Sequence, residues 1–119
     1  MVKYSFNIPC INNTEETEKI LSSIKKQTYK NYEVIVVDAS KDNKVKKVVN
    51  KYKFRYIKSS PGLPHQRNVG FRYTKGEWFL WIDSDHYLDK NFLKELDKFI
   101  SKNNYLCISA NQNFIAKSF

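Results

Sequence analysis

Glycine is scarce in this chain: only Gly62, Gly70 and Gly76 are present. A dinucleotide fold needs Gly-x-Gly-x-x-Gly directly after its first strand, and a P-loop needs its own glycine-rich turn. These three residues build neither. Any phosphate the chain holds must therefore be held by a metal ion or by basic side chains. Cysteine is equally sparse. Cys10 and Cys107 lie far apart, fit no metal spacing and read as reduced, buried thiols on strands. No apolar run approaches the length of a membrane-spanning helix, and the N-terminus lacks a signal-peptide pattern. A cytoplasmic protein is expected, peripheral at the cytoplasmic face of a membrane if its charge draws it there. Acidic residues number 12 against 21 basic ones, a formal net charge of +9. That balance suits polyanions such as nucleotides, nucleic acid or an acidic membrane face, and lysine-rich solvated helix faces account for it equally well.

What is present is enough to fold. At 41% hydrophobic and 15% aromatic residues, the 119-residue chain is expected to form one domain over residues 1–119 with a core of its own. Tyr4–Ile8 reads as a first strand stopped by Pro9. Asn12, Asn13 and Thr14 offer helix caps, with Glu15, Glu16 and Glu18 in the first turn and Ile20, Leu21 and Ile24 as an apolar stripe. Glu33–Val37, ending on Asp38, is a β-branched run of the kind buried on both faces of a parallel sheet. Val45, Val48, Val49 and Tyr52 recur at helical spacing. Phe54–Ile57 reads as a third strand, Pro64–Thr74 as a helix with proline in its first turn, and Trp78–Ile82 as a buried fourth strand. Asn91–Ser101 reads as a helix and Tyr105–Ala110 as a fifth strand. Alternation of this kind predicts a three-layer α/β/α fold, its sheet mostly parallel and Rossmann-like. In such a sheet the site lies at the carboxyl ends of the strands, near a switch in strand order.

Asp38 and Asp83-Ser84-Asp85 both fall at that edge. Extended backbone puts residues i and i+2 on one side, roughly 6.5–7 Å apart. Asp83 and Asp85 then face one crevice, with Ser84 turned away. Two carboxylates this close raise each other's pKa unless a cation or hydrogen-bond donors hold them. A hard divalent cation with phosphate oxygens fills such a crevice; alternatively, Asp85 or Asp89 caps the following helix. An aspartyl phosphatase is disfavoured, because its Asp-x-Asp follows the first strand. Arg67 is the candidate phosphate ligand, its planar fork matching the anion, or else it pairs with Asp38 or Asp83. His65 and His86 flank the site as ligand contacts or surface residues, and Ser40 either touches ligand or turns its loop.

Four segments, in order, resemble family 2 glycosyltransferases of the GT-A type: Asn7-Ile8-Pro9-Cys10-Ile11-Asn12-Asn13; Lys26-Gln27-Thr28-Tyr29-Lys30-Asn31-Tyr32-Glu33 running into Val34–Asp38; Gln66-Arg67-Asn68-Val69-Gly70; and Lys75-Gly76-Glu77 with Ile82-Asp83-Ser84-Asp85 and Tyr87-Leu88-Asp89. Each alone is weak; the ordered set is specific. The resemblance implies a GT-A sheet truncated after about five strands. It implies transfer of a sugar from a UDP-, GDP- or dTDP-sugar to an acceptor hydroxyl with Mn2+ or Mg2+. By position, Pro9 and Ile11 would flank the base, and Asp38 would bind base or ribose. Arg67 would line the donor site, Asp83 would contact ribose and metal, and Asp85 would ligate the metal. Ile11 departs from the aromatic frequent there, which weakens base stacking.

The resemblance also places the acceptor pocket and its catalytic base in a part of the family's domain with no counterpart here: no acid follows Asp97, so the catalytic base is unknown and the acceptor unassigned. The alternative to a transferase is a nucleotide-sugar-binding module acting with a partner chain. A nucleic-acid-binding domain is disfavoured, because the basic residues fall on helix faces away from the ordered motifs. Tyr105, Leu106, Ile108, Phe114, Ile115 and Phe119 would leave an apolar surface near the last strand. The segment from about Asn111 is therefore expected to form a twofold dimer or dock on another chain, the alternatives being a tail that folds back on its own core or frays. Sedimentation velocity should show the full chain associating and a version ending at Ala110 monomeric; a full chain that stays monomeric at high concentration contradicts this.

Overall fold

The alternating pattern builds a parallel sheet with helices on both faces. The structure, a computed structural model, describes residues 1–103. It comprises β1 (Tyr4–Cys10), α1 (Thr14–Lys25), β2 (Tyr32–Asp38), α2 (Lys44–Lys51), β3 (Arg55–Lys58), α3 (Leu63–Arg72), β4 (Trp78–Trp81) and α4 (Phe92–Lys102). The expected strand Tyr105–Ala110, Cys107 and the segment from Asn111 lie outside the described residues. No helix among the described residues is long and apolar enough to cross a membrane.

The strand order is β3-β2-β1-β4, and every pair is parallel. The chain steps outward from β1 to β2 to β3, then returns to place β4 on the other side of β1. The switch in strand order therefore falls between β1 and β4.

Alternation along β1 sorts the two faces. Tyr4, Phe6, Ile8 and Cys10 join Val34 and Val36 of β2 in a core closed by Ile20, Leu21 and Ile24 of α1, Val45 and Val49 of α2, and Phe92, Leu93 and Leu96 of α4. Each such side chain contributes about 1.5–3 kcal/mol on full burial, so this face dominates the stability. At its far end the Tyr4 hydroxyl donates to Asp97 of α4 at 2.7 Å, and Lys3 pairs with the same carboxylate at 2.7 Å. Burial raises the Asp97 pKa, but the hydrogen bonds from Lys3 and Tyr4 and the lysine charge prevail and hold it below the usual value.

The opposite face is more polar. Ser5 and Asn7, both fully buried, look toward α3 and the chain entering β4. Adhesion here relies on directed bonds. Gln66 Nε2 of α3 donates to the carbonyls of Cys10 at 3.0 Å and Val37 at 2.9 Å, bridging the ends of β1 and β2.

Three details differ from the sequence expectation. Pro9 does not stop β1, which runs on to Cys10. The carbonyls of Lys3 and Asn7 accept from Trp78 and Ile82, so the odd residues of β1 point to the β4 side. The β1–β4 ladder ends at Asn7↔Trp81, so the proline's missing N–H costs no ladder bond. Second, β4 is not deeply buried: it is an edge strand among the described residues, and Trp81 is 56% exposed. Third, Asn13 makes no side-chain cap for α1; its amide is used elsewhere, as shown below.

Gly70 lets α3 approach β1. A Cβ there would lie 2.1 Å from Asn7 Nδ2 and 2.4 Å from Asn7 Oδ1. In open space a helical Gly→Ala gains up to about 1 kcal/mol. Here Gly70→Ala should instead destabilise by about 1–2 kcal/mol in urea denaturation, and should turn neutral or stabilising in an Asn7→Ala background. A stabilised Gly70→Ala in the parent chain would contradict the packing described.

Candidate functional site

Because β1, β2 and β4 are parallel, Cys10, Asp38 and Trp81 end on one edge, and the loops after them meet there. The loop leaving β1 turns sharply at Asn12, whose φ of 55° lies in the left-handed region that asparagine tolerates. Asn12 N donates to Ser40 Oγ at 2.7 Å. Ser40 in turn donates to Asp38 Oδ1 from its backbone N at 3.0 Å and its hydroxyl at 2.6 Å. The other oxygen, Asp38 Oδ2, accepts from the Tyr56 hydroxyl at 2.6 Å. Asp38 is fully buried, so direct contact with a ligand requires the residues around it to move aside. Tyr56's own pKa is raised by burial first, then by its bond to the Asp38 carboxylate. Ser40, 1% exposed, turns the loop and braces Asn12.

After β4 the chain does not continue extended. The His86 amide donates to the Asp83 carbonyl at 3.2 Å, closing a turn over residues 83–86. The two carboxylates are thus brought together by a turn rather than by strand alternation. The expected division of faces survives: Ser84 is 7% exposed and accepts a hydrogen bond from Asn13 Nδ2, while the side chains of Asp83 and Asp85 are 53% and 71% exposed. Asn13, read from sequence as a cap, stitches the β1 loop to this turn. It also accepts from Ile11 N at 3.2 Å.

The capping alternative is settled by position. Helix α4 begins at Phe92, and the acid that braces its approach is Asp89, whose Oδ2 accepts from Asn91 N at 3.0 Å. Asp85 instead faces His86, with Oδ1 3.1 Å from Nδ1. One ligand atom from each of Asp83, Asp85 and His86 lies within 4.8 Å of the others. Two hard oxygens and an imidazole nitrogen on one turn suit a divalent transition cation with room for further oxygen ligands.

Arg67 of α3 faces the turn. Its Nη2 is 3.6 Å from Asp83 Oδ1, and its guanidinium carbon sits 5.5 Å from the centre of the Trp81 ring. With Asp83 half exposed, that pair contributes about 0–1 kcal/mol, too little to commit the arginine to structure. Arg67 Nε is buried without an acceptor among the described residues. Ile11 projects at 48% exposure on the β1 loop, whereas Pro9 lies inside the buried strand. His65 sits exposed on the first turn of α3.

Two further residues position the site. Gln66, bridging β1 and β2, sets the register of α3 and hence of Arg67. Gln27 Nε2 donates to the Asp89 carbonyl at 2.6 Å, and its Oε1 accepts from Leu93 N at 2.9 Å. With Leu88 N donating to Ser23 Oγ at 2.8 Å, Gln27 clamps the chain that leaves the 83–86 turn. Gln27 continues the stripe Ile20, Leu21, Ile24 at helical spacing; a polar residue on an apolar stripe is the signal that could have identified it.

The profile of the family described as Glycosyl transferase family 2 matches residues 5–117. Among curated relatives, poly(ribitol-phosphate) beta-N-acetylglucosaminyltransferase TarS of Staphylococcus aureus is 32% identical over 111 residues, covering 86% of this chain and 19% of the relative. The corresponding enzyme TarP of the same organism is 34% identical, covering 87% of this chain and 35% of the relative. The chain thus spans about a fifth to a third of the length of these relatives. The crystal structure of a TarS fragment in complex with UDP-GlcNAc superposes with a TM-score of 0.75 at 28% identity, over 94% of this chain and 38% of that one. A mannosyltransferase from Pyrobaculum calidifontis, in complex with GDP-Man and Mn2+, shares the fold at a TM-score of 0.75 and 21% identity, over 94% of this chain and 37% of that one.

The enclosure of Asp38 gives a direct test. Asp38→Ala leaves the Ser40 amide and the Tyr56 hydroxyl without their acceptor and should cost about 1–3 kcal/mol of stability in chemical denaturation. Unchanged stability would show that the carboxylate does not hold the loop.

Proposed function

The chain belongs to the glycosyl transferase family 2, and we propose that its β1/β4 crevice binds a nucleotide-diphosphate sugar, foremost a UDP-sugar, for transfer to an acceptor hydroxyl. The observation that carries this reading is the turn over residues 83–86. It presents Asp83 and Asp85 to solvent opposite Arg67, at the switch in strand order where parallel α/β sheets take their ligands. UDP is placed first because the TarS structure at 28% identity holds UDP-GlcNAc.

Asp85 and Asp83 would hold a divalent cation, Mn2+ or Mg2+, against the diphosphate. When bound, the cation stabilises the negative charge of the departing nucleoside diphosphate. Arg67 adds a planar pair of donors for the same oxygens, and its pairing with Asp83 is weak enough to be exchanged for phosphate. Ile11 offers an apolar surface to the base. Asp38 acts through Ser40 and Asn12, holding the lip on which Ile11 stands. The acceptor is an alcohol; the two named relatives act on poly(ribitol-phosphate), a polyol polymer of that class. The second reading is a nucleotide-sugar-binding module that acts with a partner chain. Donor hydrolysis or transfer by the chain alone separates the two.

Thermal shift with UDP-, GDP- and dTDP-sugars, with and without Mn2+, tests the donor site. A donor at a hundredfold excess over its Kd should raise Tm by on the order of 10 °C, with the largest shift for a UDP-sugar with Mn2+. Asp85→Asn should keep the apo Tm and lose the Mn2+-dependent part. No shift with any donor would refute the donor site, and an unchanged Mn2+ response in Asp85→Asn would remove Asp85 from it.

A further inference from the structure

We propose that His86 is a third protein ligand of the cation, so that this chain carries a compact Asp83–Asp85–His86 site that favours transition-metal ions over Mg2+. The proposal rests on the donor-site reading above and adds to it a nitrogen donor and a metal preference.

Geometry supplies the first reason. Asp85 Oδ1 and His86 Nδ1 are 3.1 Å apart. Two neighbouring ligands of an octahedral ion with bonds of about 2.1 Å are separated by about 3.0 Å. The pair therefore already stands at the spacing of adjacent ligands. The full trio lies within 4.8 Å, so a small inward movement of the two exposed carboxylates and the half-buried imidazole completes three contacts.

Preorganisation supplies the second. The His86 amide bonded to the Asp83 carbonyl folds residue 86 back over residue 83. Ser84, buried and bonded to Asn13, fixes which way its neighbours face. Leu88 N on Ser23 Oγ anchors the exit of the turn. The three side chains therefore arrive together on a short, braced segment.

The competing account is a surface ion pair between Asp85 and a protonated His86. With Asp85 71% exposed, such a pair is weak and opposes a cation little. Donor chemistry then sets the preference. Carboxylates alone suit Mg2+, Ca2+ and Mn2+; imidazole suits borderline transition ions and adds nothing for Mg2+, which prefers oxygen. The donor's phosphates supply the remaining oxygens, so the preference should appear in the ternary state.

Pulsed EPR on the full chain with Mn2+ and UDP reads the ligand directly. Directly bonded imidazole nitrogen modulates the Mn2+ electron-spin echo. The parent and a His65→Gln control should show that modulation, and His86→Gln should lose it. Mn2+ affinity measured with UDP present should fall roughly tenfold in His86→Gln while Mg2+ affinity stays within about twofold; circular dichroism confirms the variant's fold. Mn2+ bound with UDP but without nitrogen modulation in the parent overturns the His86 ligand and leaves the donor site standing. Modulation that persists in His86→Gln also overturns it. Absence of any Mn2+ binding with UDP overturns both.

Discussion

The parallel pairing of β1 with β2 on one side and β4 on the other is the constraint from which the rest follows. Parallel strands discharge their loops at one edge, so the residues after Cys10, Asp38 and Trp81 must meet. The order reverses at β1, the position where parallel α/β sheets take their ligands. At that edge the chain places a turn carrying two carboxylates and an imidazole. Had β4 been antiparallel, Asp83 would sit at the far edge, beside Lys3 and the entrance to β2.

That edge is shaped less by apolar packing than by a few buried polar side chains. Hydrophobic burial has no direction and cannot specify where a loop points; a satisfied hydrogen bond in a dry setting can. Asn13 joins the β1 loop to Ser84. Gln66 spans the ends of β1 and β2, Gln27 clamps the chain beyond the turn, and Asp38 holds Ser40 and Tyr56. The groups left exposed are the charged ones a ligand would meet. A groove of about 520 Å³ runs along α1 beside Lys19, Tyr52 and Lys90, and Tyr87 and Leu88, just after the turn, line it too.

Most of the fold was legible because periodicity is local. The β-branched run Val34–Val37 announced a strand buried on both faces, and it is one. Ile20, Leu21 and Ile24 announced the inner face of α1. The convergence of Asp38 with Asp83 and Asp85 was legible from alternation alone, and the inward turn of Ser84 from simple parity. What was not legible depended on partners distant in sequence. Pro9 reads as a strand stop unless one knows that its missing N–H faces a ladder already ended. Asn13 reads as a cap unless Ser84 is known to be within reach, and Asp38 as an open ligand unless Tyr56 is known to lie opposite. The i, i+2 geometry placed the two carboxylates correctly for the wrong reason, because the turn closed by His86 and Asp83, not an extended strand, brings them together.

We propose that the 83–86 turn and Arg67 hold a cation-bound nucleoside diphosphate between β1 and β4. Crystals of the chain grown with UDP and Mn2+, with anomalous scattering collected for manganese, test it most directly. One anomalous peak in contact with Asp85, diphosphate density between it and Arg67, and the base over Ile11 are expected. A manganese peak elsewhere, or UDP seated in the groove beside Lys19 and Lys90 with the turn empty, would contradict it.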